Sequence, residues 1–120
     1  MMQILNLTQH NATPSQVKAG VVEPVFKERI KSLITFENIP TKAGMESRAT
    51  KLAHYAKEDG FDYVLLGGAS FFMPILEKTC KEAGLHCLYA FSDRVVKEIV
   101  FPDGRILKEA EFQHKGFYEA

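Results

Sequence analysis

Three short polar segments carry the side chains that could do chemistry. The first is Thr8-Gln9-His10-Asn11, which follows the apolar run Ile4-Leu5-Asn6-Leu7. An imidazole at this place can serve as general acid or base near neutral pH, or donate a hydrogen bond to a phosphate. The plainer reading of His10 is a side chain that bonds its own loop and fixes its shape. The second segment is Gly67-Gly68-Ala69-Ser70, leading into a helix. Glycines let a ligand approach the backbone, and free N–H groups at a helix start attract anions. The segment is no Walker loop, since no Lys-Ser/Thr pair follows, and Phe71 and Phe72 stand where GxGxxG would place further glycine. Its plainer reading is a strand-to-helix turn that needs glycine torsions. Ser70 reads as a helix cap, a phosphate donor or a nucleophile, although no GxSxG elbow surrounds it. The third segment is Phe91-Ser92-Asp93-Arg94, where Arg94 offers a planar fork for phosphate or carboxylate, or a surface ion pair with Asp93 or Glu98. The candidate set is therefore His10 for proton transfer, with Thr8, Gln9, Asn11, Gly67, Gly68, Ala69, Ser70, Ser92 and Arg94 for ligand contacts.

The other chemistry-bearing residues have simpler explanations. His114, with Lys115 and Gly116, either folds back over the pocket or blunts an exposed strand edge. His54 reads as a solvated helix residue and His86 as a structural residue at a strand start. Lys27, Arg29 and Lys31 read as a solvated helix face. Phe71, Phe72, Phe91, Phe112 and Phe117 read first as core, with base stacking as the other role for one or two of them. Cys80 and Cys87 form neither a CxxC pair nor a His/Cys cluster, so neither a metal site nor a cofactor is expected.

The elements that must position these loops follow from pattern. Residues 3–7 read as a buried strand. Thr13-Pro14-Ser15-Gln16 starts a helix: Thr13 caps, Pro14 suits the first position, and Gln16 completes a capping box. Gly20 stops it. A second helix is expected from Val25 to about Leu33, with Phe26, Ile30, Leu33 and Ile34 on one face. Thr41 caps a longer helix to about Glu58, in which Met45, Ala49, Leu52, Ala53 and Ala56 recur at helical spacing. Tyr63–Leu66 is a continuous apolar run between glycine-bearing turns, the mark of a strand covered on both faces. A helix from about Phe72 to Ala83 and a strand at residues 86–90 follow. Residues 95–101 and 105–112 flank Pro102-Asp103-Gly104, which is hairpin turn chemistry. The expected fold is a single α/β domain over residues 1–120: a small Rossmann-like three-layer sandwich of parallel strands over residues 1–90, with a C-terminal antiparallel hairpin over 91–120. In such sheets the three polar loops share the edge at the strand carboxyl ends, where ligands bind.

Composition narrows the function classes. The chain has 120 residues, 46% hydrophobic and 25% charged, enough to bury a core without staples. Fifteen Lys and Arg balance fifteen Asp and Glu. That argues against non-specific nucleic-acid binding, which needs a basic excess to displace counterions. No apolar run is long enough to span a bilayer, and the first residues show no signal-peptide pattern. The expectation is a cytoplasmic protein with reduced thiols and no membrane contact.

The opening Ile4-Leu5-Asn6-Leu7-Thr8-Gln9-His10 with Ala12-Thr13-Pro14-Ser15-Gln16, the pair Gly67-Gly68-Ala69 and Met73-Pro74, the segment Ala90-Phe91-Ser92-Asp93-Arg94 and the turn Pro102-Asp103-Gly104 together resemble a family of small bacterial and phage proteins, mostly uncharacterised. The opening also resembles small CRISPR-associated proteins with a Rossmann-like sheet, some of which are ring nucleases. That second resemblance covers about the first sixteen residues. It implies binding of a cyclic oligoadenylate, usually across a homodimer, and metal-independent ring opening by a ribose 2′-hydroxyl held in line with the adjacent phosphate. The functional expectation is binding of such a nucleotide messenger, with cleavage as its enzymatic form and a homodimer as the assembly. The alternative is a non-enzymatic protein-interaction or ligand-sequestering module of a bacterial or phage defence system.

Overall fold

A computed structural model describes residues 2–120, the side chains of 111 and 112 excepted. The order is β1 (Ile4–Leu7), α1 (Pro14–Lys18), β2 (Val21–Val22), α2 (Lys27–Ile34), α3 (Lys42–Glu58), β3 (Tyr63–Leu66), α4 (Met73–Glu82), β4 (His86–Val100) and β5 (Ile106–Glu119). One five-stranded sheet has the order β2-β1-β3-β4-β5. β1 pairs in parallel with β2 and β3, and β3 in parallel with β4, while β4 and β5 run antiparallel. The molecule is thus a mixed α/β fold with a mostly parallel sheet and an antiparallel C-terminal pair.

Strand alternation assigns the two sheet faces. Leu5, Leu7, Val64, Leu66 and Cys87 share one buried cluster with Ile30 and Ile34 of α2, Ala49, Leu52, Ala53 and Ala56 of α3, and Leu76 and Cys80 of α4. The alanines of α3 recur on the stripe that touches this cluster and let the helix lie close. The other face holds Ile4, Val21, Leu65 and Leu88, packed by Ala12, Tyr63 and Phe117. α1 buries no residue, so its stability rests on its ends. Thr13 Oγ1 accepts the Gln16 N–H, and Gln16 Oε1 accepts the Thr13 N–H, the reciprocal box that the sequence pattern implies.

Several expectations are corrected. β2 is a two-residue strand that the pattern does not announce. α2 begins at Lys27, and Phe26, its cap residue, is exposed rather than on the buried face. Phe71 and Phe91 are exposed, whereas Phe72 is fully buried. The side chain of Phe112 lies outside the described residues. The largest correction concerns residues 91–94. They form no loop: β4 runs unbroken from His86 to Val100. β3 accompanies it only along His86–Tyr89. Beyond that, β4 and β5 continue as a two-stranded ribbon to the row Val100↔Ile106, with a bulge between Phe91 and Ser92. At ~3.3 Å per residue the ribbon projects about 36 Å past the parallel sheet. No helix among the described residues is long and apolar enough to cross a membrane.

Candidate functional site

The chain leaves β1 at the carboxyl edge of the sheet, passes outward through α1 to β2, then returns across β1 to β3. A reversal of this kind opens a crevice between the two strands, the place where open parallel sheets bind ligands. A cleft of about 360 Å³ lies there. Its walls are Thr8, Gln9, His10, Asn11, Thr13 and Gln16 from one side and Leu65, Leu66, Gly67, Gly68, Tyr89 and Ala90 from the other.

Glycine lets the bend lie tight against Thr8 of the first loop and Ile34 of α2. A Cβ on Gly67 would come 3.1 Å from Thr8 Cγ2, and one on Gly68 would come 3.0 Å from Ile34 Cγ2. Gly68 also has φ +151°, in the region that L side chains rarely adopt.

The loop after β1 is held from beneath by a polar network centred on Asn6, the one polar residue in the described core. Asn6 Nδ2 donates to the His10 carbonyl at 2.8 Å and to Glu23 Oε1 at 2.9 Å. Asn6 Oδ1 accepts the Thr8 N–H at 3.0 Å and the Thr8 hydroxyl at 2.7 Å. Glu23 Oε1 also accepts the Ala12 N–H at 2.6 Å. Lys27 Nζ pairs with Glu23 Oε2 at 2.9 Å and donates to the Thr8 and His10 carbonyls at 3.2 and 3.3 Å. Lys27 is therefore no solvated face residue: it ties α2 to the cleft loop. Burial pushes the Glu23 carboxyl upward, but the Ala12 N–H, Lys27 and Asn6 outweigh it and hold the group below its usual value. Gln9 reaches sideways, its Nε2 donating to the Ile34 carbonyl at 3.4 Å and Thr35 Oγ1 at 3.3 Å.

This network fixes the backbone at residue 10 and leaves the imidazole exposed at the cleft rim. Such a His10 is positioned to exchange a proton or donate to an anion. Across the cleft, the Tyr89 hydroxyl is occupied. It donates to Glu77 Oε1 at 3.0 Å, and burial together with that carboxylate pushes its pKa up.

Six of the ten sequence candidates line the cleft: Thr8, Gln9, His10, Asn11, Gly67 and Gly68. Ala69 and Ser70 fall just past the lining. Ser70 does not cap α4, whose cap position is Phe72. Ser92 and Arg94 lie on the ribbon rather than in an edge loop, and they do not line the cleft. Among the described residues, Asp93 pairs with Lys115 at 3.6 Å and Glu98 with Lys108 at 3.9 Å. His114 pairs with Ser92 across the ribbon and tilts against the Phe117 ring at 4.8 Å. His54 forms a helix-surface pair with Glu58, and His86 stacks on Tyr63 beside Glu119. Among the described residues, no three His, Cys, Asp or Glu side chains group as a metal site would require.

A family model described as the Uncharacterized protein MJ1673 family matches residues 2–118. The chain belongs to that family. No curated protein and no solved structure matches it. For this member of the MJ1673 family, function is therefore a question about the cleft, since a fold or family alone does not fix an activity. The cleft has a definite chemical character. Among the described residues, its lining contains no Lys, Arg, Asp or Glu; its donors are amides, hydroxyls, backbone N–H groups and one imidazole.

Proposed function

We propose that this MJ1673-family protein binds a nucleotide messenger of the cyclic oligoadenylate type in the cleft between the β1 and β3 loops. The observation that carries this reading is the meeting of His10 and its loop with the Gly67–Gly68 bend around one crevice. On the strand order β2-β1-β3-β4, we read the fold as a small Rossmann-like three-layer arrangement, with α2, α3 and α4 on one face and α1 on the other.

The uncharged lining favours a phosphodiester over a nucleoside triphosphate. Neutral donors can satisfy the single charge of the one phosphodiester seated in the cleft, whereas the clustered charges of a triphosphate chain need cations that this lining does not supply. The apolar part of the lining, Leu65, Leu66 and Ala90, suits the face of a base. A cleft of about 360 Å³ stands at the low end of ligand pockets and takes about one nucleotide. The remainder of a ring then lies over the exposed edge.

Cleavage on this site is a transesterification. The ribose 2′-oxygen forms a bond to the adjacent phosphorus, and the bond from phosphorus to the 5′-oxygen breaks. The 2′-hydroxyl gives up its proton and the leaving 5′-oxygen takes one, with His10 as the group that transfers it. Most of the acceleration comes from holding the 2′-oxygen in line. The test is calorimetry and product chromatography against a panel of cyclic oligoadenylates and cyclic dinucleotides. Expected are binding by the wild type, its loss in Gly67→Val, and a fall in turnover of about 100-fold or more in His10→Ala. Binding without product reduces the protein to a sequestering module. Absence of binding at millimolar ligand ends the proposal.

A further inference from the structure

The ribbon beyond Phe91 lacks cover within its own chain. An isolated two-stranded hairpin is marginal in water and needs further packing to persist. Yet this one keeps its ladder out to Val100↔Ile106. Its distal end is apolar on both faces: Ile99, Val100, Phe101, Ile106 and Leu107 are 38–67% exposed. Its middle is charged but neutral as a whole. Residues 93–115 hold five Lys or Arg and five Asp or Glu, several paired along the ribbon. Such an arm has no net charge to draw nucleic acid or an anionic membrane.

The same molecule has an unfilled apolar hollow. Phe36, Ile39, Met45 and Phe71 line an open depression of about 890 Å³ beside the α2–α3 loop. Ile39 is 97% exposed and Phe71 51% exposed. The arm does not fill this hollow in its own chain, because tip and hollow are both exposed.

We infer that two copies of this chain exchange arms, each tip seating in the partner's Phe36–Ile39–Met45–Phe71 hollow. Area decides between a second copy and an unrelated protein. A fully buried aliphatic side chain removes roughly 60–120 Å² from water, so five half-exposed ones contribute roughly 250 Å² per tip. Two tips and two hollows together reach about 1,000 Å², the floor for a specific interface. One arm inserted into an unlike partner gives half of that, which is the scale of an incidental contact. The exchange is isologous: tip meets hollow and hollow meets tip across one two-fold axis. The neutral arms approach without mutual repulsion. This inference stands independently of the ligand reading for the cleft.

The experiment is sedimentation equilibrium of the full chain at micromolar concentration, with circular dichroism as the folding control. The wild type should be a dimer. Leu107→Lys at the tip and Phe71→Lys in the hollow should each give a monomer with an unchanged spectrum. A second measurement uses the milder variants Ile106→Cys and Ile39→Cys. Mixed and gently oxidised, they should yield a covalent dimer containing one of each, because the two native thiols are buried. A monomeric wild type, a hollow variant that stays dimeric, or a mixture without the cross-link overturns the inference.

Discussion

Replacing Asn6 with leucine separates the cleft loop from its support while leaving the apolar core in place. Asn6 is fully buried and makes four hydrogen bonds, to the His10 carbonyl, Glu23, the Thr8 N–H and the Thr8 hydroxyl. The partners do not suffer equally. The His10 carbonyl keeps Lys27 and the Thr8 hydroxyl as donors, and Glu23 Oε1 keeps the Ala12 N–H. The Thr8 N–H loses its acceptor, at about 1 kcal/mol, the low end for an orphaned donor, because Thr8 is only half-buried. The other three bonds were worth about 1 kcal/mol each and are partly replaced. Leucine's apolar burial returns about 1 kcal/mol. The expected net loss is about 2 kcal/mol, an appreciable share of a typical domain stability of roughly 5–15 kcal/mol. Urea unfolding followed by circular dichroism reads it directly, with an unchanged slope showing that the unfolded state is not altered. A loss under about 1 kcal/mol means the network does not hold the loop. In that case the positioning of His10 must be explained in another way.

Three further outcomes follow from the same geometry. The Glu23 carboxyl titrates below its usual value of 4.5 in the folded protein. Its stabilising contribution is therefore complete above the unfolded value and lost as pH falls through the folded one; Glu23→Gln should be less stable at pH 7 and show a shallower acid limb of stability against pH. Thr13→Ala removes the hydroxyl arm of the α1 capping box and leaves the Thr13 N–H to Gln16 Oε1 arm in place; it should cost about 1 kcal/mol in urea unfolding, with a smaller effect counting against α1 as an independently capped unit. Gly68→Ala places a Cβ 3.0 Å from Ile34 Cγ2 at φ +151°. It should lower the melting temperature by several degrees, a shift of about 1–2 kcal/mol, and an unchanged midpoint contradicts the close approach of that bend.

Much of the fold was legible because local chemistry and tertiary packing agree. Thr13 and Thr41 cap the helices their neighbours imply, and the Ala49–Ala56 stripe faces the sheet as its spacing requires. Where they disagree, the sequence misleads. Val21–Val22 is too short to show a period, and only pairing beside β1 makes it a strand. Phe91-Ser92-Asp93-Arg94 looks like an edge loop because polar residues interrupt an apolar run. Those residues are instead the outward continuation of β4, where β5 supplies every ladder partner and no core asks for apolar side chains.

The site was half legible for a related reason. Exposed loop residues advertise themselves, so His10 and the diglycine bend stand out. Their support does not, because Glu23 and Lys27 look like surface charges. One signal was nonetheless present in Ile4-Leu5-Asn6-Leu7: a carboxamide inside a buried run must find partners for its donors and acceptor, or the strand is destabilised. Three of its bonds go to the loop that follows, two to Thr8 and one to the His10 carbonyl, and the fourth goes to Glu23, which itself grips Ala12 of that loop. A buried Asn placed at the mouth of a switch-point crevice thus converts core rigidity into loop rigidity. The same logic explains why the cleft lining is uncharged while a Lys–Glu pair lies behind it: the ions are used to hold the backbone, and the open face of the cleft is left to groups whose hydrogen bonds depend on direction.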